Sequence, residues 1–180
     1  MRMTEIRQLK VKDIQSVRDL EIACIKEYFA ATIENKWEDL PQEWKENLGA
    51  SSKNHFKAYL DSGVSFVAVE DGEVVGFIFA QILHHICDED NLLWIENMGV
   101  HPYFRRNMLG YQLLRECVKK GREMGCTVAH SMIQEDNAPS ILLHKKIGFF
   151  MDRREVALMD LRDPKLKPGL RLPSNRESFA

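Results

Sequence analysis

Two stretches of the chain hold residues whose types and spacing can do chemistry. LLWIENMGV (residues 92–100) is an apolar run interrupted by one carboxylate, Glu96. A carboxylate in so apolar a run invites a functional reading, with general base as the natural role. The alternative is an outward-facing strand residue. The run leads into GVHPYFRRNMLGYQLL (99–114), in which a turn carrying two arginines opens a helical pattern. A turn entering a helix presents unpaired backbone N–H groups and the positive end of a dipole, which suits a phosphate. The candidate amides are those of Arg105, Arg106, Asn107, Met108, Leu109, Gly110 and Tyr111, with the two guanidinium groups adding charge. Taken alone, Arg105 and Arg106 read as two solvated arginines before a helix.

Other polar clusters carry less. His84 and His85 with Asp88, Glu89 and Asp90 read as a solvated hairpin loop rather than a metal site. The cysteines at 24, 87, 117 and 126 form no CxxC and read as reduced, buried thiols. Tyr28, Phe29, Trp37 and Trp44 make an aromatic-rich stretch that either packs in the core or lines a pocket.

The elements that must position these groups follow from periodicity. Residues 3–10 alternate as a strand. Ile14, Val17, Leu20, Ile25 and Phe29 fall at helical spacing behind Asp13, a candidate cap. Residues 30–50 lack a clean period, and 51–61 read as a helix stopped by Ser62-Gly63. VSFVAVEDGEVVGFIFAQIL (64–83) is a hairpin about Asp71-Gly72, followed by a polar loop at 84–91. After the strand at 92–100 come an amphipathic helix at 109–124, ended by Gly125, and a strand at 126–133. A second helix opens with Pro139 and closes at Gly148, and 149–161 offers one or two closing strands. The order predicts an α/β domain over 1–161, a mixed sheet covered by helices, with a polar, proline-bearing tail at 162–180.

A hydrophobic share of 44% is enough for a core in 180 residues. The net charge of −2 argues against nucleic acid or anionic membrane as a partner. No apolar run approaches the ~18 residues that span a bilayer. MRMTEIRQLK is too polar for a signal peptide, which with reduced thiols points to the cytoplasm.

Three matches in family order then identify a resemblance. GVHPYFRRNMLGYQLL resembles motif A of the GNAT superfamily of acyl-CoA-dependent N-acetyltransferases: a strand ending in Val-x-Pro, an Arg/Gln-x-x-Gly-x-Gly/Ala turn, then a helix. NAPSILLHKKIGFF (137–150) is similar to motif B, in which Asn opens a helix ending in Gly-Phe. VAVEDGEVVGFIFAQ resembles the family's central strands. The resemblance implies a mostly antiparallel mixed sheet flanked by helices on both faces. It implies transfer of an acetyl group from acetyl-CoA to a primary amine by direct attack on the thioester, without metal. A homodimer is common in the family.

Roles follow residue by residue. An alkylammonium has a pKa near ~10, so the attacking amine must lose a proton, and Glu96 stands where many members place an acidic residue. Met98 and Val100 lend main-chain groups to acetyl-CoA. Asn137 matches the family's cofactor-contacting Asn, or is a helix cap. His144 stands where the family often has a Tyr general acid; the alternative is a surface histidine beside Lys145 and Lys146. Met108 departs from the pattern, replacing the first glycine of the turn. The leucines at 109, 113 and 114 place the helix start at or just before 108, predicting φ < 0 there. A degenerate site would leave a non-catalytic acyl-CoA-binding module. The acceptor groove implied by the resemblance is bordered by Glu34, Glu38, Asp39, Glu43 and Glu46 and by Asp88, Glu89 and Asp90, which favours a cationic amine, small-molecule or peptide.

Overall fold

A computed structural model describes residues 4–32, 37–39, 42, 45 and 50–152. Strand β1 is Thr4–Gln8. A 3-10 turn at Val11–Asp13 leads into helix α1, Ile14–Thr32. Two short helices follow, α2 (Ala50–Asn54) and α3 (Phe56–Asp61). Then come β2 (Phe66–Glu70), β3 (Glu73–Ile86), β4 (Glu89–Val100), α4 (Leu109–Glu123), β5 (Val128–Ser131) and α5 (Ala138–Ile147). The strands form one sheet in the order β1-β2-β3-β4-β5. β1 to β4 are antiparallel and β5 joins β4 in parallel, so the sheet is mixed and mostly antiparallel as expected.

Each face of the sheet has its own apolar layer. On one, Leu109, Leu113, Leu114 and Cys117 of α4 pack on Ile78, Ala80, Leu93 and Ile95, with Leu143 and Ile147 of α5 alongside. On the other, Val17 and Leu20 of α1 and Phe56 and Tyr59 of α3 meet Val67, Phe77 and Phe79. Alternation along β2 and β3 sends successive residues to opposite layers, so these strands are covered on both faces.

Local chemistry explains the boundaries. Asp71 and Gly72 both take positive φ (51° and 88°), the two-residue turn that matches strand twist. The polar hairpin loop expected at 84–91 is a hairpin end but a much shorter one, because β3 runs on to Ile86 and β4 starts at Glu89. Cys87 and Asp88 take positive φ between Ile86 and Glu89, and pairing resumes at once. Ladder hydrogen bonds and side-chain polarity are independent, so polar residues can continue a strand past its buried part. Asp13 does not cap α1 in the expected way: its carboxylate accepts the Lys10 N–H (2.8 Å) and both Arg7 Nη groups (2.7 and 2.8 Å). Ile14 is exposed, and the inward stripe of α1 runs Val17, Leu20, Glu21, Cys24. The closing strands at 149–161, beyond Asp152, and the tail at 162–180 lie outside the described residues.

Candidate active site

The β3–β4 ladder slips by one residue. Phe79 pairs with Asn97 and Ala80 with Ile95, so Glu96 is the extra residue of a β-bulge. A bulge re-aims its side chain, and here it brings the carboxylate to the edge of the sheet. Trp94 Nε1 donates to Glu96 Oε2 at 2.6 Å. On the next residue, Asn97 Nδ2 donates to Glu21 Oε1 (2.8 Å), whose other oxygen accepts the Ser52 N–H (3.1 Å) and hydroxyl (2.5 Å). Glu21 is buried, and the sequence reading missed it. Its signal was a carboxylate four residues after Val17, on the apolar stripe of α1.

β4 and β5 pair only from Leu92–Val128 to Ile95–Ser131. Past Ser131 the chain leaves the sheet while β4 runs on to Val100, opening a cleft of about 250 Å³. Its walls are residues 95–98 of β4, 131–134 after β5, and Asn137, Ser140 and His144 at α5. The cleft therefore unites Glu96, Met98, Asn137 and His144. The main chain of β4 also serves it. His101 donates its N–H to Val75 (2.9 Å), so alternation turns the N–H groups of Val100 and Met98 away from β3.

His144 is not a surface residue. It is 1% exposed, with its ring edge on Phe149 (centroids 4.9 Å, 74°). Nδ1 lies 2.8 Å from the Ser140 carbonyl, which only accepts, so Nδ1 carries the hydrogen. Nε2 is then a lone pair, buried with no partner. Burial pushes the imidazole below the ordinary histidine range, partly offset by the bond to Ser140. With Nδ1 protonated, Nε2 of the uncharged ring is an acceptor and not a donor. Asn137 Oδ1 accepts from Ser140 N (3.2 Å), so this residue caps α5 and lines the cleft together.

The turn before α4 corrects two expectations. Met108 takes φ 63°, ψ 7°, the left-handed region, and not the helical φ expected. The leucine spacing marks where the helix runs but says nothing of the residue just outside it. The chain must reverse from the 3-10 turn at Pro102–Phe104 into α4, and it does so with positive φ at Arg106 and Met108. Arg105 does not aim its charge at the turn: Nε donates to the Val100 carbonyl (2.9 Å), and the guanidinium pairs with Glu27 (2.9 Å). The first helical bond runs from Gln112 N to Met108 O (2.9 Å), which leaves the amides of Leu109, Gly110 and Tyr111 without helical partners. Lys146 of α5 reaches over this helix start, 5.3 Å from the Tyr111 ring centre and 3.7 Å from Met108 Sδ. Sequence reading treated it only as a flanking charge.

The acidic hairpin end does not border the cleft. Asp90 stands six residues before Glu96, roughly 20 Å along an extended strand. Glu89 bonds Thr127, and Asp90 lies 3.8 Å from His85. Glu34, Glu43, Trp44 and Glu46 lie outside the described residues, as do the side chains of Tyr28, Phe29 and Asp39; Trp37 sits under the Lys26 ammonium (5.2 Å). Among the described residues no group of His, Cys, Asp and Glu is arranged to hold a metal, and no helix is long and apolar enough to cross a membrane.

The same fold recurs in the aminoglycoside N-acetyltransferase AAC(6')-Iy solved with CoA: TM-score 0.66 and 23% identity, over 89% of this chain and 97% of that one. In sequence, the chain is 32% identical over 99 residues to an aminoglycoside N(6')-acetyltransferase type 1 of Salmonella typhimurium, covering 53% of this chain and 68% of the relative. It is 28% identical over 101 residues to an L-2,4-diaminobutyric acid acetyltransferase of Vibrio parahaemolyticus, 56% of this chain and 54% of that protein. Fold, cleft and relatives together define an acetyl-CoA-dependent N-acetyltransferase of the GNAT superfamily. Within that class the chain belongs to the family described as a protein of unknown function (DUF1999), which it matches over residues 4–175.

Proposed function

We propose that the chain acetylates a cationic primary amine by direct attack on the thioester, with Glu96 as base and His144 serving the departing sulfur. The observation that carries this reading is that the two residues, from different elements, line one cleft, whose Met98 also lies against Gly110 at the start of α4. Acetyl-CoA supplies the activated acetyl group. The amides of Leu109, Gly110 and Tyr111 suit its pyrophosphate, with Lys146 and Arg106 as nearby positive charge. The outward N–H groups of Met98 and Val100 suit carbonyl oxygens lying along β4.

Glu96 takes the proton that the ammonium must lose before it can attack. His144, with Nδ1 protonated and Nε2 a free acceptor, takes at Nε2 the second proton, which the amine nitrogen sheds once its bond to the acetyl carbon has formed, and gives it to the departing thiolate, so it acts as a relay and not as a standing acid. A positively charged acceptor is supported by the carboxylate at the cleft and by the amine acceptors named for the two relatives. Work in the cytosol is supported by the free thiols of all four cysteines, although only Cys117 is buried as expected: Cys24 and Cys126 are half-buried, and Cys87, in the β3–β4 turn, is exposed.

Release of free CoA thiol, followed with an aminoglycoside bearing a 6′-amine, 2,4-diaminobutyrate, a polyamine and a peptide N-terminus, tests this reading. Calorimetry with acetyl-CoA in the presence of a chelator accompanies it. Saturable binding with turnover of at least one amine is expected. Binding with no amine consumed would leave a non-catalytic acyl-CoA-binding module.

A further inference from the structure

We infer that Trp94 and His130 are a positioning pair for Glu96: the stacked rings hold an indole N–H against the carboxylate and so fix the direction from which it meets the amine. This rests on the reading of Glu96 as base. A glutamate on a bulge has lost its ladder partner and has three side-chain torsions to order. Left alone, it would sample many directions along the sheet edge. The indole is a donor only, and it donates to Oε2 in a short bond of 2.6 Å.

The bond is only as well aimed as the indole plane, and His130 sets that plane. The two rings lie nearly parallel, 11° apart with centroids at 5.1 Å. They are direct partners in the β4–β5 ladder, one step before the strands part. The His130 Nδ1 is buried without a hydrogen bond, so at that nitrogen no polar contact competes with stacking. The other groups near the bulge leave this contact in place. Glu21 is engaged by the neighbouring Asn97 and by Ser52, and His144 has Nδ1 on Ser140. Neither ring of the pair gives or takes a proton here. Their effect passes through Glu96.

A double-mutant cycle tests this with whichever amine of the panel is turned over. Trp94→Phe keeps an apolar ring against His130 but removes the N–H. It is expected to lower kcat about tenfold, the size of one hydrogen bond to a charged group, with the Kd for acetyl-CoA unchanged. In a Glu96→Gln background the same change is expected to cost nothing further, because the group it acts through is gone. His130→Ala should show a smaller loss with the same dependence on Glu96, and His130→Phe should recover it; this second series decides the matter if Trp94→Phe does not fold. Equal kcat in Trp94→Phe and the parent, or losses that multiply with Glu96→Gln, would overturn the positioning role and leave Glu96 as base. If Glu96→Gln itself turns over normally, the reading of Glu96 falls, and this inference with it.

Discussion

Replacing Met108 by glycine is expected to stabilise the protein without creating a better acetyl-CoA site. Met108 holds φ 63° just before α4, where its Cβ crowds the backbone. That conformation costs an L-residue roughly 1–2 kcal/mol. Glycine removes the cost but gives back about 0.5–1 kcal/mol of chain entropy in the unfolded state. The side chain is 45% exposed and contributes a contact with Lys146, so little packing is lost. The net gain is about 0.5–1 kcal/mol, a rise of roughly 1–4 °C in Tm for a domain of this size. Met108→Ala is the decisive control, since it keeps Cβ and the strain. In a helix interior with negative φ, alanine is more stable than glycine by about 1 kcal/mol; at this left-handed position just outside the helix the order is reversed, by more than a cap preference of a few tenths. The Leu109, Gly110 and Tyr111 amides already stand in place, so the acetyl-CoA affinity of the glycine variant should stay within about tenfold of the parent, or ~1.4 kcal/mol. Thermal melts of the three proteins and calorimetry with acetyl-CoA read both quantities. An alanine variant more stable than the glycine one would refute the strain argument. An affinity gain far beyond tenfold would show that the methionine side chain obstructs the phosphates.

Three further outcomes are expected. Glu96→Gln should lower kcat by roughly 10²-fold, the low end for loss of a general base, with little change in acetyl-CoA affinity by calorimetry. His144, held below its ordinary range by burial, makes stability depend on pH: the unfolded state takes up the proton first, so this contribution is whole above about pH 6.5 and declines as pH falls below it. Urea midpoints between about pH 5 and 7.5 should show that decline, and His144→Phe should flatten it while slowing turnover; an unchanged pH slope would contradict the neutral buried ring. Gly99→Ala should cost about 1–3 kcal/mol in urea unfolding, because the added Cβ would stand 2.8 Å from buried Phe77 and 3.1 Å from Cys24 Sγ.

Much of the candidate site was legible before the fold. Glu96 stood out as a charge in an apolar strand, and the turn at 105–111 was visible as a break between two periodicities. Asn137 and Pro139 marked the opening of α5 through its capping chemistry. Glu21 was not legible as a partner of Asn97, since nothing in the spacing of two residues 76 apart says that their side chains meet. Lys146 was hidden for the same reason, lying over Tyr111 only because α5 packs on α4.

The sequence by itself determined the order of elements, the Asp71-Gly72 hairpin and the inward face of α4, because these follow from local propensity and from periods that repeat within a few residues. It did not determine the bulge, the cleft or the backbone at Met108. A bulge exists only relative to the register of the neighbouring strand, and the cleft only because β5 ends at Ser131 while β4 continues to Val100. The left-handed turn at 108 is imposed by where the 3-10 turn and α4 must both sit, and a methionine has no local preference for it. The burial of His144 likewise comes from the packing of Phe149 and the rest of α5's surroundings around its ring, which no pattern in HKKIG expresses.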